Sequence, residues 1–303
     1  MKRSMHCVLV ALAALFLVCG TAGADMLQQF AGQKGKIDIA GGTAHIPVMN
    51  EAAKRIMTAN PDIRITVEGG GTGVGVQKAG EGLVDIGNTG RALSEDEVAK
   101  YGLVSFPFAV DGVTVILNPA NGVAELTAAQ VQDIFAGKIA NWKEVGGADA
   151  AITLYTRDEA SGTREVFWEK LLKKGAIADK ANVVASNGAM KVAVSQDAQA
   201  IGYMSIGFVD AEVKAPKLDG VEPSQDNAKS GAYKVARKLF MNTKGQPQGL
   251  TKLFIDYVHS EYLRRISSYL KRRGVRVPMT AVLDFNDVAD MRTVAEGLDF
   301  MGT

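Results

Sequence analysis

Three times between Ile37 and Arg91, a short β-branched, apolar run ends in a loop of glycine and hydroxyl residues that feeds a helix. Ile37-Asp38-Ile39-Ala40 enters Gly41-Gly42-Thr43-Ala44, and Met49, Ala52, Ala53, Ile56 and Met57 follow at helical spacing until Asn60-Pro61 stops them. Ile63 to Val67 alternates as a strand and enters Glu68-Gly69-Gly70-Gly71-Thr72-Gly73-Val74-Gly75, which leads to a short helix through Val76 and Ala79. Leu83-Val84-Asp85-Ile86 reads as a third strand and opens into Gly87-Asn88-Thr89-Gly90-Arg91. Strands alternating with helices predict an α/β fold, and in an open parallel sheet such loops gather along one edge, where ligands bind.

A fourth loop of this kind carries charge. Ile152-Thr153-Leu154-Tyr155 reads as a buried strand, and Val166 to Leu172 as a helix with Phe167 and Leu171 on one face. Ser161-Gly162-Thr163 therefore falls at the first helical turn, where free N–H groups and a partial positive charge favour anions. Ser161 and Thr163 add hydroxyl donors, Gly162 lets an anion approach the backbone, and Arg157 supplies a forked cationic donor. Read alone, the segment fits an ordinary serine N-cap with an exposed arginine equally well.

Further along, Val113 to Leu117 is a strong apolar strand, and Thr127 caps a helix carrying Val131, Ile134 and Phe135. Asn182 to Val184 and Ile201 to Ile206 read as strands, Val213 to Ser224 as surface loop, Lys234 to Met241 as a strand and Leu250 to Tyr257 as a helix. The pattern predicts two lobes joined by two crossings, near Phe108 to Thr114 and Phe208 to Ala215. Lobe 1 is expected at 25–112 and 214–303, and lobe 2 at 113–213.

The first 24 residues stand apart. Lys2 and Arg3, the apolar run Val8 to Val18 and Ala22-Gly23-Ala24 have the order of a cleaved export signal ending after Ala24. Lipid attachment at Cys19 is the alternative, but Leu17-Val18 is a poor approach to it. Both cysteines, Cys7 and Cys19, lie in this segment, so the remaining chain has no disulfide or thiol chemistry. Losing Lys2 and Arg3 takes the 34 basic side chains to 32, against 33 acidic ones. That near-neutral balance gives no reason to expect nucleic acid.

Several chemistries fit poorly. Gly69 to Gly75 lacks the ending of a phosphate-binding P-loop and the spacing of a dinucleotide fingerprint. A serine nucleophile at Ser161 needs a histidine base, and beyond residue 24 only His45 and His259 are available. No cluster has metal-ligand spacing, and no cofactor is expected. His45 reads as a helix-start residue making a local hydrogen bond. A tetrahedral oxyanion uses all four loops at once, because a dehydrated divalent anion must have nearly every oxygen hydrogen-bonded.

At this point the chain resembles the periplasmic phosphate-binding proteins of ABC importers, the PstS family. The resemblance rests on GGTAHIPVM (Gly41 to Met49), GGGTGVG (Gly69 to Gly75), DIGNTGR (Asp85 to Arg91) and RDEASGTREVF (Arg157 to Phe167), and covers roughly Ile37 to Tyr257. It implies a type II two-lobe fold with the ligand cleft between the lobes. It also implies phosphate held by Thr43 and the Ala44 N–H, Thr72, Thr89 with Gly90, Arg157, Ser161, Gly162 and Thr163. Non-enzymatic capture in the periplasm, by a monomer delivering to an inner-membrane ABC permease, would follow. The alternatives are the same fold tuned to sulfate, molybdate or tungstate, and a secreted phosphatase or hydrolase using Ser161.

Two features depart from the family pattern. Better-studied members place a carboxylate or serine where Gly90 stands, and a carboxylate is the physical means of demanding a protonated ligand. Asp85 and Asp158 are the candidate substitutes, and Arg91 either adds charge or pairs with a neighbouring acid. The chain also runs past the usual end, with Leu263, Ile266 and Leu270 facing away from Arg264, Arg265, Lys271, Arg272 and Arg273.

Overall fold

The computed structural model describes residues 25–272. The export-signal reading at 1–24 and the segment after residue 272 lie outside the described residues. The chain divides into two compact units, Met1–Tyr257 and Val258–Thr303. Everything below concerns the first, apart from the course of the final helix.

In chain order the elements are α1 (Asp25–Gln28), β1 (Gly35–Gly41), α2 (Ile46–Ala59), β2 (Ile63–Gly70), α3 (Thr72–Gly80), β3 (Ile86–Thr89), α4 (Glu95–Tyr101) and β4 (Leu103–Leu117). Then come β5 (Glu125–Leu126), α5 (Ala128–Phe135), β6 (Thr153–Arg157), α6 (Gly162–Val166), β7 (Asn182–Val184), α7 (Asn187–Gln196) and β8 (Ala200–Ser205). The chain continues through β9 (Lys217–Leu218), α8 (Gln225–Lys229), β10 (Ala236–Lys244) and α9 (Gly249–Arg272).

Eight strands form one mixed sheet in the order β2-β1-β3-β10-β4-β8-β6-β7. The strand β4 belongs to both halves. Its first part, up to Gly112, pairs with β10, and Val113 to Leu117 pair with β8. On one side β1 runs parallel to β2 and β3, and on the other β6 runs parallel to β7 and β8. β10 and β4 are antiparallel to their neighbours, so the sheet is not the all-parallel one that the loop pattern suggests. The antiparallel pairing at β8 turns the second half round. The C-terminal ends of β1, β2 and β3 thus converge with those of β6, β7 and β8 where β4 passes from Gly112 to Val113.

Each half buries its own apolar faces. Ile37, Ile39, Met49, Ile56, Ile63 and Ile65 are buried on the first side. On the second, Val113, Val115 and Leu117 pack with Phe135, Trp142, Leu154, Phe167 and Tyr203. Phe167 stacks on Tyr203 at 4.0 Å between ring centroids. The helix expected from Val166 to Leu172 widens after Val166 into a π-type turn over Phe167–Leu171, and both Phe167 and Leu171 remain buried.

Four boundaries differ from expectation. β3 begins at Ile86, because the residues before it turn and Leu83 is 64% exposed. The last strand runs Ala236–Lys244 and the last helix Gly249–Arg272, one continuous element through the expected break near Tyr257. Val213 to Ser224 is not simply surface loop, since Val213 is buried and Lys217–Leu218 pair with Glu125–Leu126. Tyr233 and Val235 join the core of the second half, and the Val113 N–H donates to the Val235 carbonyl. We therefore propose the second lobe as 113–235, with its return crossing at Val235–Ala236 instead of near 208–215.

Candidate anion-binding site

Where the six strand ends converge, Gly42, Thr43, Ala44, His45, Gly71, Thr72, Gly90, Arg157, Ser161, Gly162, Thr163 and Arg237 line a small cavity. Eight of the nine residues expected to hold a ligand are among them. The exception is Thr89. Its hydroxyl donates to the Arg91 carbonyl at 2.8 Å and accepts from Asn242 Nδ2 at 3.0 Å, so its proton is committed inside the fold. Gly90, the next residue, lines the wall in its place.

The hydroxyls at the wall have settled roles. A hydroxyl oxygen that already accepts has its proton free to donate elsewhere. Thr43 Oγ1 accepts from Asn187 Nδ2 at 2.9 Å, and Thr72 Oγ1 from the Gly90 N–H at 3.0 Å. Ser161 Oγ caps α6 by accepting from the Arg164 N–H at 3.2 Å, and Thr163 Oγ1 accepts from Arg237 Nη2 at 3.0 Å. All four side chains are at most 4% exposed. They present donors to whatever the cavity holds. Backbone adds more, since the N–H groups that open a helical turn have no partner within it. Ala44 lies in a short 3₁₀ turn leading into α2, and Gly162 and Thr163 begin α6.

Arg157 ends β6 with only 2% of its surface exposed. Tyr203 positions it, because the phenol oxygen on β8 accepts from the Arg157 N–H at 3.0 Å. The guanidinium donates from Nη2 to the Ala185 carbonyl at 2.9 Å. Its Nε and Nη1 are buried with no partner in the protein. Burial pulls the Arg157 pKa below its ordinary value, and the neighbouring Arg237 pulls it in the same direction. A guanidinium held this way, with unspent donors on a cavity wall, suits an anion.

Glycine is required at two positions on the seam between the halves. Gly71 has φ +90°, and a Cβ there would lie 2.7 Å from the Ala160 carbonyl oxygen of the opposite half. A Cβ on Gly162 would run into Thr72 Oγ1. The halves also meet through Asn187 on Thr43, the Gly73 N–H on the Ala160 carbonyl at 3.2 Å, and Arg91 Nε on Glu165 at 2.8 Å. This is a closed cleft. Arg91 is an ion-pair partner of Glu97 and Glu165 and does not line the cavity.

Neither candidate carboxylate reaches the wall. Asp85 Oδ2 accepts from the Asp38 N–H at 2.8 Å, before β3 begins and at the far end of that strand from Gly90. Asp158 has a buried, unpartnered Oδ1 but does not line the cavity. His45 is fully buried, and its Nδ1 lies 3.0 Å from the Gly42 carbonyl, the local bond expected of it. Nothing couples it to Ser161 Oγ, whose partner is the Arg164 N–H.

Burial, with Arg237 second, lowers the His45 pKa from 6.5 to about 3. A histidine neutral in the fold but charged when unfolded stabilises the protein fully above the unfolded pKa. That contribution is lost as pH falls from about 6.5 towards 3, at up to roughly 1.4 kcal/mol per pH unit. Urea unfolding between pH 7 and 4 should therefore show His45→Gln less acid-sensitive than wild type. Parallel pH curves for the two would remove His45 as the cause.

Sequence reasoning missed Arg237 and its partner Asp111. Asp111 accepts from Arg237 Nε at 3.0 Å and Nη2 at 2.9 Å, both side chains being almost completely buried. The signal was present. Arg237, Leu239 and Met241 alternate inward along β10, and Asp111 follows the apolar run Phe106 to Val110.

A bilobal sheet closed over a small, donor-lined cavity defines a solute-binding protein of the type that captures ligand between two lobes. The model of the PBP superfamily domain matches residues 28–261. The phosphate-binding protein PstS of Bacillus subtilis is 34% identical over 276 residues, covering 88% of this chain and 92% of that one. Among solved structures, one described as a phosphate ABC transporter substrate-binding protein from Clostridium perfringens, with bound phosphate, is 34% identical with a TM-score of 0.70. It covers 76% of this chain and 97% of that one. An ABC-type phosphate transport receptor from Vibrio cholerae is likewise 34% identical, with a TM-score of 0.60, covering 80% of this chain and all of the other. The chain belongs to the PstS family of phosphate-binding proteins.

Proposed function

We propose that this protein captures inorganic phosphate outside the cytoplasmic membrane and passes it to an ABC permease. The observation that carries the proposal is Arg157, buried with Nε and Nη1 unpartnered at a wall of four hydroxyls whose protons are free to donate. The names of the relatives support the same ligand. The ligand set is Thr43, Ala44, Thr72, Gly90, Arg157, Ser161, Gly162 and Thr163, with Thr89 removed. Capture works by closure, because a ligand touching both halves stabilises the state in which they meet. The protein acts as a monomer and without catalysis, and residues 1–24 direct its export with cleavage after Ala24. Among the described residues no helix is long and apolar enough to cross a membrane.

Equilibrium dialysis with labelled phosphate tests this. Unlabelled phosphate should displace the label, whereas phosphate esters should not, because the halves close directly over the small cavity, through the Gly73 N–H on the Ala160 carbonyl and Asn187 on Thr43, and leave no space for an organic group. Displacement by sulfate, molybdate or tungstate at lower concentration than phosphate would assign the site to another oxyanion. Turnover of a chromogenic phosphate ester, lost in Ser161→Ala, would replace capture with hydrolysis.

A further inference from the structure

The wall of the cavity includes a second guanidinium that no family motif quoted above contains. Arg237 comes from β10, in the middle of the sheet, and reaches the cavity beside Gly90. A Cβ on Gly90 would lie 2.6 Å from Arg237 Nη1, so the missing side chain at residue 90 is what admits this guanidinium. Nε and Nη2 are held by Asp111, and Nη2 also reaches Thr163 Oγ1 across the cleft. Asp111 Oδ1 in turn accepts from Ser205 Oγ at 2.6 Å, the Ser205 N–H donates to Asn187 Oδ1 at 3.0 Å, and Asn187 Nδ2 donates to Thr43 Oγ1. One buried chain of hydrogen bonds thus runs from Thr43 round the hinge side to Thr163, and Arg237 is its cationic member.

We infer that Arg237 is a second cationic ligand of the captured anion, occupying the room that Gly90 leaves, with Asp111 fixing its orientation. This inference rests on the oxyanion reading above. Where a carboxylate at residue 90 would demand a proton on the ligand, this chain sets a positive charge. The residues lining the cavity then carry two guanidiniums and no carboxylate, which favours a doubly charged anion. Asp111 keeps the uncompensated charge at the wall small enough for the protein to fold.

Phosphate affinity and melting temperature would be measured for wild type, Arg237→Met, and the double variant Asp111→Asn/Arg237→Met. The double variant removes the orphaned acid, so it reports on binding even where Arg237→Met alone fails to fold. Both variants should bind phosphate about a hundredfold or more weaker than wild type, with the melting temperature recovering only in the double variant. Gly90→Ala should weaken binding about tenfold in wild type and not at all in the double-variant background, because its effect passes through Arg237. A double variant that binds within threefold of wild type would overturn the inference while leaving phosphate capture standing. Wild-type protein that binds no phosphate would overturn both.

Discussion

Arg157→Met should lose phosphate binding by about two to four orders of magnitude and yet melt no lower than wild type. The two halves of this expectation have one cause. The guanidinium is buried, spends Nη2 on the Ala185 carbonyl, and holds Nε and Nη1 without a protein partner. Breaking a buried charged contact by removing one partner typically costs about 3–5 kcal/mol, and each 1.4 kcal/mol is tenfold in affinity. Without ligand the same charge is desolvated for little return, so an apolar side chain of similar length removes a burden from the fold. Calorimetry and thermal melts on the same preparation separate the cases. A variant that loses affinity and melting temperature together would make Arg157 a structural residue. Unchanged affinity would take it out of the site.

Gly162→Ala is the second large expected effect, and it acts on closure. Gly162 opens α6 in one half, and a Cβ on it would strike Thr72 Oγ1 of the other. Alanine suits a helix start as well as glycine does, so the open protein loses nothing locally. Overpacking a close contact costs about 1–3 kcal/mol, here charged only to the closed state. Affinity should fall about 10- to 100-fold, with unfolding in urea unchanged when no phosphate is present. Small-angle scattering should show the variant staying expanded at phosphate concentrations that compact wild type. If the variant compacts and binds like wild type, the seam between Gly162 and Thr72 is not closed in the bound state.

How far the sequence reaches can be read from individual residues. The loops after β1, β2 and β6 were legible because glycine, hydroxyl and helix-start signals are local, and local signals sit within a few positions of one another. Thr89 misled for the same reason. It has the right residue type in the right loop, but its hydroxyl proton goes to the Arg91 carbonyl two residues on, a turn that residue type alone does not reveal. Arg237 and Asp111 are 126 residues apart on adjacent strands, and only the β10–β4 register brings them together. The proposed extension of the second lobe beyond 213 rests on Lys217–Leu218 pairing with β5 and on Tyr233 bonding to Val113 of β4, partners that a composition rich in Pro, Asp and Lys conceals. Periodicity finds elements. It does not find which element a polar side chain will answer to.

The measurement that bears most directly on phosphate capture is titration calorimetry of the mature protein, unfolded and refolded to strip bound ligand, with phosphate as titrant. The cavity around Arg157 predicts one tight site per chain for phosphate. No heat with phosphate from a protein that refolds with its wild-type melting transition would contradict the site itself.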